Sequence, residues 1–114
     1  MMLSLLLWSC GKEKPSLENF DQEKWLEDRN ACKGNRGPLV EPLLTQKDKL
    51  LGLDELAIVD VLGKPDENEL YKRNQKFFYY YVTASKECGS ENGEAKKLVI
   101  RFNAVGLAKE ILVE

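Results

Sequence analysis

Histidine is absent from this 114-residue chain, and with it go the side chain best suited to proton transfer near neutral pH and the commonest nitrogen ligand for metals. An enzyme would start without its usual base, so no catalytic residue, cofactor or metal is expected. A bias of charge is missing as well. Seventeen basic residues face nineteen acidic ones, for a net charge of -2, without the positive excess that nucleic-acid binding favours. No apolar run approaches the about 20 residues that a helix needs to cross a bilayer. Phosphate-binding loops, metal-ligand spacings and nucleophile-base constellations are lacking too. The length suits one domain with a modest core.

What is present begins with Met1-Met2-Leu3-Ser4-Leu5-Leu6-Leu7-Trp8, an apolar run that stops at Ser9-Cys10-Gly11-Lys12-Glu13-Lys14-Pro15. A buried helix would carry polar punctuation on a solvent face, and before Ser9 only Ser4 is polar. Leu7-Trp8-Ser9-Cys10 resembles the lipobox of bacterial lipoprotein signal peptides. That resemblance implies cleavage after residue 9, a diacylglyceryl group on the sulfur of Cys10, and a fatty-acyl chain such as palmitate on the new amino terminus. Trp8 is bulkier than the motif usually carries, and no Lys or Arg precedes the run, whereas export signals begin with positive charge; a start codon further upstream would account for the missing charge. Several acyl chains at one cysteine anchor firmly, since each buried methylene contributes about 0.8 kcal/mol. Residues 10–19 then read as a lipid-anchored flexible tether. Lys12-Glu13 also resembles the surface-display signal of some Bacteroidetes lipoproteins, but a charged tether is the simpler account. The outer membrane, on its periplasmic face, is the expected location.

Cys32 and Cys88 remain, an even number in a compartment that permits disulfides. A bridge is the natural reading. Two free thiols are the alternative, and a reactive cysteine has no histidine to activate it.

From residue 20 to 114 the pattern is that of one domain. Asp21 caps a helix over Gln22–Asp28, with Phe20 stapling back onto it and Trp25 and Leu26 on its buried side. Lys33-Gly34-Asn35-Arg36-Gly37-Pro38 breaks that helix. A second helix is expected from Val40 or Glu41, with Pro42 in its first turn, running through Leu43, Leu44, Leu50 and Leu51 to a stop at Gly52. Asp54 caps a third through Leu62, with Leu56, Val59 and Leu62 on one face and a stop at Gly63-Lys64-Pro65. The period then changes to that of strands: 69–72, the aromatic run Phe77-Phe78-Tyr79-Tyr80-Tyr81-Val82, Lys97–Phe102 with Leu98, Ile100 and Phe102 on one face, and Leu107–Val113. Helices first and a meander afterwards predict an α+β fold, with N-terminal helices packed on one face of a small, three- to four-stranded antiparallel sheet.

The order Leu62-Gly63-Lys64-Pro65-Asp66, an aromatic strand ending Tyr79-Tyr80-Tyr81, and Leu98-Val99-Ile100-Arg101-Phe102-Asn103 with Gly106 resembles the SmpA/OmlA family, the BamE-like outer-membrane lipoproteins. The resemblance covers roughly residues 51–114 together with the lipobox. It implies a lipid-anchored, non-enzymatic accessory in the assembly of outer-membrane β-barrel proteins, with an envelope protein as its partner. Related helix-plus-sheet folds also serve as protein inhibitors, which keeps an inhibitor or ligand-capture module open as the alternative.

Side chains alternate across a strand, so Phe77, Tyr79 and Tyr81 face one way and Phe78, Tyr80 and Val82 the other. One row is expected beneath the helices. The other either lies on an open sheet face, where tyrosine is a favoured anchor for protein contacts, or is covered by helical material. The candidate protein-binding residues are accordingly Phe78, Tyr79, Tyr80 and Tyr81, together with Lys72 and Arg73, which form with Lys76 a small basic cluster beside the aromatic strand, a cluster that a solvated turn explains more simply. The acidic pairs Asp54-Glu55 and Asp66-Glu67 read as helix capping and solubility.

Overall fold

The computed structural model describes residues 16–70, 75–89 and 95–114. The expected signal peptide, the lipidation site Cys10, and Lys72 and Arg73 lie outside the described residues.

Among the described residues, helices α1 (Gln22–Glu27), α2 (Gly37–Thr45) and α3 (Glu55–Leu62) precede strands β1 (Glu67–Leu70), β2 (Lys76–Tyr81), β3 (Lys97–Phe102) and β4 (Ala108–Val113). The strands form an antiparallel sheet in the order β1-β2-β3-β4. The fold is α+β, as the change of hydrophobic period predicts.

Local chemistry explains each helix. The Asp21 carboxylate accepts the Lys24 N–H at the start of α1, and the Phe20 ring meets Trp25 at 5.4 Å, which makes the staple. Trp25 is fully buried, but Leu26 is 40% exposed and does not share its buried side. The second helix begins at Gly37, earlier than expected, because Pro38 and not Pro42 occupies its first turn. Pro42 sits inside it, and its carbonyl accepts from both Thr45 Oγ1 and Gln46 Nε2 at 2.9 Å. These bonds close α2 at Thr45, and a separate 3-10 turn over Lys47–Lys49 carries the chain toward Leu50. Asp54 caps α3 by accepting from Ala57 N at 2.9 Å. Its buried face is Ile58, Val61 and Leu62, with Val59 partly buried against the core: of the expected Leu56-Val59-Leu62 line only Leu56, 78% exposed, falls outside the i, i+3, i+4 stripe that meets the sheet. At its end Gly63 has φ 81° and ψ -178°, a conformation essentially confined to glycine.

Strand β1 starts two residues ahead of the expected 69–72, because pairing begins where Asp66 N–H reaches the Tyr79 carbonyl. The core joins Trp25, Leu43, Ile58 and Leu62 to Phe78, Tyr80, Leu98, Ile100, Phe102 and Ile111. All the helices therefore cover one face of the sheet. Ordered packing also reaches into the expected tether: Leu17 lies against the core, and Glu18 exchanges backbone bonds with the Gln46 amide at 2.7 and 2.6 Å.

Candidate functional site

Strand alternation divides the aromatic run of β2. Phe78 and Tyr80 are 5% and 0% exposed, so these two candidate binding residues are core residues: their parity points them at the helices, where Phe78 packs edge-on to Phe102 at 4.7 Å. The Tyr80 hydroxyl donates to the Gly63 carbonyl at 2.8 Å, and burial raises it well above the ordinary tyrosine range, with Arg36 partly opposing.

Phe77, Tyr79 and Tyr81 occupy the opposite face and are each half-buried. In register with them lie Glu69 opposite Phe77 and Glu67 opposite Tyr79 on β1, and Arg101, Val99 and Lys97 on β3. The Phe77 and Tyr79 rings run nearly parallel, 13° apart in plane. Both tyrosine hydroxyls reach diagonally to carboxylates, Tyr79 to Glu69 at 2.6 Å and Tyr81 to Glu67 at 2.8 Å. Lys97 Nζ stands 4.2 Å from the centre of the Tyr79 ring, a cation–π contact. Arg101 pairs with Glu110 at 3.1 Å. Partial burial and the bond to Glu67 push Tyr81 up to about 12, so it remains a neutral donor. The result is an aromatic strip with its polar tips and neighbouring charges pre-engaged, a surface with few loose side chains to order when a partner arrives.

A cleft of about 360 Å³ opens at one end of the strip, lined by Glu67, Tyr81, Ser85, Lys86, Glu87, Ala95 and Lys97. It mixes two lysines with two glutamates; among the described residues no cluster of three or more Cys, Asp or Glu side chains is placed to hold an ion.

What holds this end is a buried ionic assembly that reading the sequence missed. Arg36 and Asp66 have side-chain exposures of 1% and 0% and meet at 2.8 Å. Arg36 also donates to the carbonyls of Trp25 and Tyr81, and its guanidinium lies 4.7 Å from the centre of the Trp25 ring. Asp66 accepts from Tyr81 N–H at 2.8 Å and Asn30 N–H at 3.2 Å. The pair thus grips both backbone polar groups of Tyr81. Asp28, fully buried, accepts three backbone N–H bonds from Lys33, Asn35 and Arg36. These bonds fold the glycine-rich segment that breaks α1 into a compact loop. Cys32 in that loop is bridged to Cys88 in the β2–β3 connection, beside a bond from Ser85 N–H to the Asn30 carbonyl. The only sequence signal for the assembly was Asp66 just past the helix stop, which reads equally well as solubilising charge.

Among the described residues no helix is long and apolar enough to cross a membrane. Comparison with protein-family models, with curated proteins and with solved structures gives no match for this chain.

Proposed function

We propose that this protein is a lipid-anchored, non-catalytic binding or scaffolding protein of the bacterial cell envelope, acting through the open face of its sheet. The observation that carries the reading is the strip Phe77-Tyr79-Tyr81, presented on the face that the helices leave uncovered and braced by Glu67, Glu69 and Lys97. Rigid aromatic bodies with polar tips are what protein-binding surfaces use as anchors. The lipobox-like segment ending at Cys10 supports attachment to the outer membrane, and the resemblance to the SmpA/OmlA family supports a setting in outer-membrane protein assembly.

Two measurements test this. The intact mass of the protein purified from membranes is expected to show acyl chains at the Cys10 terminus. A photo-crosslinking residue placed at Tyr79 is expected to trap a discrete envelope protein in cells, while one at Glu23, on exposed α1, traps none. An unacylated mass with no Tyr79-specific adduct would sink the proposal. The mixed-charge cleft beside Tyr81 favours one second reading, an inhibitor or ligand-capture module that receives a side chain of a soluble target. Target binding that survives removal of the anchor would select it.

A further inference from the structure

The chain ahead of α1 is gripped by a single side chain. The Gln46 amide, just past the end of α2, engages both backbone polar groups of Glu18: its Oε1 accepts the Glu18 N–H at 2.7 Å and its Nε2 donates to the Glu18 carbonyl at 2.6 Å. The same Nε2 donates to the Pro42 carbonyl at 2.9 Å, and the same Oε1 accepts from Lys49 Nζ at 3.0 Å. All four hydrogen-bonding positions of the amide are therefore filled. Lys49 Nζ also donates to the Ser16 carbonyl at 3.3 Å.

We propose that this amide is a clasp that fixes where the lipid-bearing chain leaves the domain, and so sets how far the domain stands from the membrane. The proposal rests on the anchored reading above. The base of the clasp is rigid: the Lys47–Lys49 turn is bonded to the edge strand β4 through Lys47 Nζ and the Ile111 carbonyl, and fully buried Leu50 follows it. The strap is the part that can move. Glu18 is exposed and Leu17 only partly buried, and Asn19 turns the chain at φ 56°, a left-handed conformation that asparagine tolerates. A segment held by three exposed hydrogen bonds and one half-buried leucine belongs to the low-stability end of a fold.

The closed and open states differ in reach. With the clasp closed, six positions separate Cys10 from the bonded Ser16, a span of at most about 21 Å. With it open, the first held residue is Phe20, against the Trp25 ring, and ten positions span at most about 35 Å. Closing the clasp thus withdraws up to about 14 Å of chain. It also confines the exit to the corner formed by α2, the Lys47–Lys49 turn and β4. The Tyr79 strip is then presented to a partner in the same membrane within a narrower range of heights.

The test uses the full chain and begins without a membrane. Hydrogen exchange at the Glu18 amide is expected to be about tenfold faster in Gln46→Met, which keeps the side-chain bulk and loses the bonds. Cys10 is the one thiol outside the disulfide, so a nitroxide attaches there alone. It is expected to broaden the Lys47–Lys49 amides, and to do so less in Gln46→Met and in Glu18→Pro, which removes the donated N–H and leaves the domain side untouched. Wild type and Gln46→Met are then coupled through Cys10 to a maleimide lipid in a supported phosphatidylcholine bilayer, where neutron reflectometry is expected to place the wild-type domain nearer. An unprotected Glu18 amide in the wild type, equal broadening in all three proteins, or equal standoff overturns the proposal. The coupling works whether or not the cell acylates Cys10, and the native mass measurement reads the anchor separately, so the two ideas fail independently.

Discussion

Arg36 is the residue on which the functional end of the sheet turns. Its guanidinium has five engagements in the interior: the Trp25 carbonyl, the Trp25 and Tyr80 rings, Asp66 and the Tyr81 carbonyl. Replacing it by methionine would leave Asp66 buried with only Arg29 near, 3.8 Å away and half exposed. Breaking a buried pair from one side typically costs about 3–5 kcal/mol, whereas removing both charges costs far less. Urea denaturation is therefore expected to show a severe loss for Arg36→Met and partial recovery in Arg36→Met/Asp66→Asn. Equal midpoints for the two variants would show that the pair does not act as a unit. At this scale the sequence was poorly legible. Phe78 and Tyr80 have the same composition signal as Tyr79 and Tyr81, and a run of aromatics does not say which parity faces the helices. Burial of Arg36 had no local signature, because its partners lie eleven to forty-five positions away.

At the scale of elements, boundaries followed local chemistry where a single residue decided them. Asp21 and Asp54 cap their helices, and Gly63 ends α3 in a conformation closed to other residues. A methyl group at Gly63 would also meet Leu26 Cδ2 at 2.6 Å, although that exposed side chain can rotate away. The backbone term remains, so Gly63→Ala is expected to cost about 1–3 kcal/mol, read as a fall of several degrees in thermal midpoint. An unchanged midpoint would mean the chain end relaxes into an ordinary helix stop. Boundaries were misplaced where two signals competed. Two prolines offered two helix starts, and the choice of Pro38 followed from the loop that Asp28 closes just before it. The exposed Leu56 was read as core because helical spacing alone allows several stripes, and the one that packs is chosen by the position of the sheet.

For the whole molecule, the disulfide and the buried ionic assembly act on the same loop and join the α1–α2 break to the β2–β3 connection. The cysteines are 56 positions apart. Closing such a loop contributes about 4 kcal/mol on the chain-entropy model. The double variant Cys32→Ser/Cys88→Ser is expected to lose much of that in denaturation, and a reductant is expected to lower the wild type to the variant's level. A wild type indifferent to reduction would show that the hydrogen bonds hold the loop unaided. The same geometry separates the surfaces: the helices close one sheet face, and the cleft beside Tyr81 lies at one end of the aromatic strip on the other.

The sequence by itself determined the α+β class, the order of helices before strands, the capping residues and the inward face of β3. These depend on periodicity and on near neighbours, which the chain carries locally. Tertiary structure alone decided which tyrosines are buried and that Arg36 and Asp66 form a pair. Each of those facts is a meeting of residues distant along the chain, and such meetings exist only once the helices have settled on a particular face of the sheet.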